Sequence, residues 1–200
     1  MIVGDGFLWL HLPKTGGTTL NRVFRTLALP GVVVDPDDTL AKHDSVAQRE
    51  GRGDWRAGDR VRLITARRLG DWLISDFHHK RRMPALADLP FDGVRVGRIW
   101  SLRLGGVWVA ADWWLEHMVI DEVTQALRLE HLADDLERHL RPVLPAGTRP
   151  FGPLPRENAD PDPRDPRFTL RPEDMARIHA ANPRWSAWER QVYGGIPAGG

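Results

Sequence analysis

The chain has 200 residues, 42% of them hydrophobic and 28% charged, with 28 Lys and Arg set against 27 Asp and Glu. That length supports a core able to fold unaided, and the near-neutral balance argues against a general nucleic-acid binder, which needs an excess of cations. With no cysteine, disulfides, thiolate metal sites and a cysteine nucleophile are excluded, and no apolar stretch reaches the length of a membrane span.

The expected organisation is a single domain over residues 1–193, followed by a flexible tail at 194–200. The first six residues lack a basic region followed by an apolar segment, so the chain is expected to be cytoplasmic or trimmed of a targeting region. Phe7 to His11 forms a short apolar run that predicts a strand, and it ends in the turn Pro13-Lys14-Thr15-Gly16-Gly17. Thr18 to Ala28 predicts a helix, with Leu20, Val23, Phe24 and Leu27 on one side. Gly31 to Val34 predicts a second strand, closed by Asp35-Pro36-Asp37-Asp38. Val61 to Ala66 predicts a third strand, and a helix follows from about Gly70 to His79.

Farther along, Asp112 is expected to cap a helix carrying Trp113, Val119, Ile120 and Val123, and another begins near His131 with Leu132, Leu136 and Leu140 at four-residue spacing. Pro142 to Pro166 reads as a long surface connection. Pro172 opens a final helix that packs Trp185, Trp188 and Val192. Strands alternating with helices imply an α/β fold with a largely parallel central sheet and a helical C-terminal half.

The segment His11-Leu12-Pro13-Lys14-Thr15-Gly16-Gly17-Thr18-Thr19 joins the first strand to the first helix. Gly16 and Gly17 permit backbone torsions and close approaches that side chains would obstruct. Their amides, with those of Thr18 and Thr19, can converge on phosphate oxygens at a helix start, and Lys14 adds a mobile positive charge. The usual nucleoside-triphosphate loop has glycine directly before its lysine and another upstream; here those positions hold Pro13 and Leu8.

This string resembles the strand-ending loop of the sulfotransferase family, especially its carbohydrate-type branch. The resemblance implies a P-loop-like three-layer fold and a loop that grips the 5′-phosphosulfate end of 3′-phosphoadenosine 5′-phosphosulfate through Lys14, Thr15, Gly16, Gly17, Thr18 and Thr19. The family also holds the 3′-phosphate with an arginine and a serine eight residues later, which fall here on Arg67 and Ser75. Arginine suits that task because its guanidinium presents a fixed fork of donors. This chain departs from the family after Arg67, with Arg68 and Leu69 where Asn or Asp and then Pro are common, and with Trp72 at a frequent second arginine. Weaker likenesses at Leu129-Glu130-His131-Leu132, Asp134-Asp135 and Tyr193 concern architecture alone.

The implied reaction moves a sulfuryl group to a hydroxyl, with a carbohydrate as the implied acceptor and adenosine 3′,5′-bisphosphate as the second product. Histidine suits proton acceptance near neutrality. His43 in Lys42-His43 matches the region where the family's base stands, and Lys14 is the group placed to stabilise the leaving phosphate. His117 is the next candidate, whereas His11 is expected to be structural. The partners expected are a small-molecule or glycan acceptor, with no nucleic acid, membrane segment or metal. Two other readings stay open: a small-molecule kinase, which would need a magnesium-holding carboxylate, and a sulfotransferase-like protein that binds nucleotide or glycan without turnover.

Overall fold

A computed structural model of the chain describes residues 1–53, 55–120, 124–154 and 165–195. In chain order its strands are β1 (Ile2–Val3), β2 (Phe7–Leu10), β3 (Val33–Val34), β4 (Val61–Ala66), β5 (Arg98–Ser101), β6 (Val107–Ala110) and β7 (Thr124–Arg128). Its α-helices are α1 (Gly17–Leu27), α2 (Val46–Glu50), α3 (Leu69–Arg81), α4 (Asp92–Arg95), α5 (Asp112–Met118), α6 (Leu132–His139), α7 (Pro172–Ala181) and α8 (Pro183–Tyr193). The fold is mixed α/β. The described residues fall into two compact units, one drawn from 1–66 and 117–159, the other from 67–116 and 160–200.

The first unit is built on a sheet with strand order β3-β1-β2-β4-β7. β2 and β4 pair in parallel from Phe7 opposite Val61 to Leu10 opposite Ile64, and β4 and β7 are parallel as well. All four residues of β2 are buried, which is the pattern of a strand covered on both faces. Phe7 and Trp9 join Leu20 and Phe24 of α1, Leu63, Leu127 and the Leu132, Leu136 and Leu140 stripe in one core. Strand alternation turns Leu8 and Leu10 to the opposite face.

The sheet expected to be largely parallel is mixed. β1 runs antiparallel to both β2 and β3, because only Gly4-Asp5-Gly6 joins β1 to β2 and a parallel crossover needs about a dozen residues. The strand expected over Gly31 to Val34 is confined to Val33–Val34 at the sheet edge. Short α2 is fixed by a reciprocal cap: Gln48 N–H donates to Ser45 Oγ at 3.2 Å and Ser45 N–H donates to Gln48 Oε1 at 3.0 Å.

Part of the expected surface connection after Pro142 belongs to the core. Phe151 is buried in the cluster around α6, and its amide donates to Glu137 Oε1 at 2.7 Å. Residues 155–164 of that connection, Val123, and residues 196–200 of the expected tail lie outside the described residues.

The second unit packs α3 against α7 and α8. Trp72 is fully buried with its ring centroid 4.5 Å from that of Trp185, and Phe77 meets Phe91 and Phe168 at 4.9 and 5.1 Å. β5 and β6 form an antiparallel hairpin, so the second half of the chain carries strands besides its helices. The single final helix expected after Pro172 is two helices, interrupted at Asn182, where φ is −132° and ψ is 66°. Pro183 cannot donate to α7 and excludes a helical conformation just before it. Asp112 is the first residue of α5 rather than its cap, and its carboxylate instead accepts from the Arg184 and Trp185 amides of α8 at 2.9 and 2.7 Å. Among the described residues no helix is long and apolar enough to cross a membrane.

Candidate functional site

The loop predicted to bind phosphate sits at the end of buried β2 and opens α1. Lys14 has φ 63° and Gly16 has φ 83°, so the chain turns through the left-handed region twice within three residues. At Gly16 this suits glycine, while at Lys14 a side chain is retained in a conformation that costs it about 1–2 kcal/mol. The Thr15 hydroxyl, wholly buried, donates to the Leu12 carbonyl at 2.7 Å and ties the turn together.

Two contacts explain the paired glycines. A Cβ on Gly16 would come within 2.8 Å of Leu129 Cδ1, and one on Gly17 would overlap His11 Nε2 at 1.7 Å. α1 begins with no side-chain cap and no acid in its first turn. The first amides of a helix have no intrahelical partner and carry the positive end of its dipole. Thr18 is exposed at this start and Thr19 is buried. The local chemistry therefore fits an anion held by backbone amides, with Lys14 half-buried beside them in sequence.

His43 closes a turn of 3-10 helix over Leu40–His43. It is half-buried, and its Nδ1–H donates to the His11 carbonyl at 2.8 Å. The His11 and His43 rings meet edge to face, with centroids 4.6 Å apart. His117, in the last turn of α5, donates from Nε2 to the His43 carbonyl at 3.2 Å. Lys42, the other half of the Lys42-His43 pair, gives its amine to the Asp37 carbonyl.

His11 is deeply buried, and its Nδ1 has no hydrogen-bond partner. Burial holds its basicity well below that of a free imidazole, and the neighbouring His43, N-terminal amine and Lys42 push in the same direction. It is a neutral ring at neutral pH. The sequence set His11 aside as structural and ranked His117 second to His43; it gave no sign that the three would meet, since residues 11, 43 and 117 lie on separate elements.

Arg67 and Ser75 belong to the second unit. Arg67 stands in the turn before α3, where its carbonyl accepts from Trp185 Nε1 at 3.3 Å, and Ser75 lies within the helix, half-buried. Arg68 is held by Glu189 at 3.3 Å and lies over the Tyr193 ring at 4.4 Å. The Glu189 carboxylate also accepts from the Leu69 amide at 2.9 Å. The start of α3 thus carries an anion of its own, unlike the start of α1. Trp72, where the family often has a second arginine, is fully buried in the packing of α3 on α8.

Among the described residues no group of His, Asp or Glu side chains is arranged to hold a metal ion. Compared with models of known protein families, with curated proteins and with solved structures, the chain matches none.

Proposed function

We propose that the chain is a sulfotransferase of P-loop-like fold that uses 3′-phosphoadenosine 5′-phosphosulfate and a hydroxyl acceptor, with a sugar hydroxyl as the first choice. The observation that carries this reading is the start of α1: a helix without a side-chain cap or early acid, opened by a lysine and two glycines after a buried parallel strand. Helix starts of this kind bind phosphate groups through their amides.

In the proposed reaction the acceptor oxygen forms a bond to sulfur as the bond from sulfur to the 5′-phosphate oxygen breaks. The acceptor proton passes to His43 Nε2, and the charge that develops on the departing phosphate is met by Lys14 and the amides of Gly16, Gly17, Thr18 and Thr19. Thr15 shapes the turn through its hydroxyl. Arg67 and Ser75 carry the expected contacts to the 3′-phosphate, and a cytoplasmic location accords with this donor.

Calorimetry in the absence of magnesium tests the assignment. Adenosine 3′,5′-bisphosphate should bind at least tenfold more tightly than ATP, because no glycine precedes Lys14 and no metal is required. Tighter, magnesium-dependent binding of ATP would replace the sulfotransferase reading with a kinase.

A further inference from the structure

The histidines at 11, 43 and 117 form a directed chain in the first unit. A carbonyl oxygen can only accept, so both links have a fixed sense: His43 Nδ1–H to the His11 carbonyl, and His117 Nε2–H to the His43 carbonyl. A neutral imidazole carries one N–H, and donation from Nδ1 therefore puts the lone pair of neutral His43 on Nε2. Free histidine favours the other tautomer, with its proton on Nε2. The surroundings of His43 must supply the difference, and they do so by holding its ring against the His11 carbonyl.

Two groups hold it there. The buried ring of His11, wedged between Trp9 at 5.0 Å and His43 at 4.6 Å, fixes one side. The second is the His117 ring, which grips the last carbonyl of the 3-10 turn from an independent helix. The same turn is closed on its other side by the Asp44 amide, which donates to the Ala41 carbonyl at 3.0 Å.

We propose that His117 is a positioning residue for His43: by holding the His43 carbonyl it keeps the His43 ring on the His11 carbonyl, in the single tautomer whose Nε2 accepts the acceptor's proton. This rests on His43 being the base in the reaction above. A partner on one ring nitrogen orients a histidine by fixing which nitrogen carries the proton; for His43 that partner is the His11 carbonyl, and His117 acts one step behind it.

The tautomer can be read directly, without nucleotide or acceptor, by long-range 1H–15N correlation of the imidazole nitrogens at pH 8. Wild-type His43 should show the proton on Nδ1. His117→Gln, whose amide nitrogen can occupy the place of Nε2, should preserve that pattern, whereas His117→Leu should move His43 toward the Nε2–H form. Turnover should fall roughly tenfold to a hundredfold in His117→Leu, the scale on which losing an outer partner of a functional histidine acts, with donor affinity unchanged and with most of the loss restored in His117→Gln. If the Leu variant does not fold, His117→Asn, whose amide is too short to reach, takes its place with the same expectation. An Nε2–H tautomer in the wild type, an unchanged tautomer in the Leu or Asn variant, or an altered tautomer with full turnover would each overturn the proposal. Failure of the nucleotide-binding test bears on the sulfotransferase reading alone, because the NMR measurement uses no nucleotide.

Discussion

A methyl group at Gly17 would place its carbon 1.7 Å from His11 Nε2 and 2.3 Å from Cε1. His11 cannot swing aside easily, because Trp9 and His43 flank its ring. Alanine is ordinarily the better helix residue by about 1 kcal/mol, but an overlap this deep reverses the sign. Gly17→Ala should lower stability by about 1–3 kcal/mol in urea denaturation. In a His11→Ala background the same substitution should be neutral or stabilising, and equal losses in both backgrounds would show that His11 is not the obstacle. The two glycines were legible in the sequence as a pair that lets backbone approach an anion. The structure divides their work: Gly16 supplies a left-handed torsion, and Gly17 supplies room for a buried ring. The second role was hidden because the direction of the His11 ring is set by the sheet and by His43, both remote in sequence.

Several helices were readable in the sequence: α1 and α3 lie within two residues of their expected starts and ends, and α6 starts within one residue of its expected start. Strand β1, two residues long, has no period to read, α2 is too short to show one, and β3 was legible only through its valines and kept just two of the four residues expected. The strands of the hairpin β5–β6 have four residues each, the shortest run on which alternation can be read. The helix break at Asn182 is set locally by Pro183, and a partner 70 residues away caps it. Asp112 N–H donates to Asn182 Oδ1 at 3.1 Å while the Asp112 carboxylate caps two amides of α8. This is a reciprocal cap shared by two helices, and one substitution should disturb both. Asp112→Ala should cost about 1–3 kcal/mol in thermal denaturation, since it leaves two helix-start amides without their acceptor. Asp112→Asn, which keeps one carbonyl oxygen, should lose less. A change under about 0.5 kcal/mol in the Ala variant would show that the cap contributes little beyond the surrounding packing.

Each compact unit is assembled from two stretches of chain, an arrangement that no composition shift in the sequence announces. In the first unit β7, α6 and the segment after it supply Leu127, Leu132, Leu136, Leu140 and Phe151, five of the eleven buried members of the core around β2 among the described residues. A fragment of residues 1–66 should therefore show no cooperative urea transition, and joining it through a glycine–serine linker to residues 117–159 should restore one. Cooperative unfolding of 1–66 alone would mean that the sheet needs only its first four strands. The same interruption has a consequence in time. On a ribosome adding about 5–20 residues per second, β4 is complete roughly sixty residues before the end of β7 is made, an interval of about 3–12 s. Throughout it, the parallel edge of Val61-Arg62-Leu63-Ile64-Thr65-Ala66 waits without its neighbour, and Arg62, the one charge in that segment, stands as its guard against pairing with another unfinished chain.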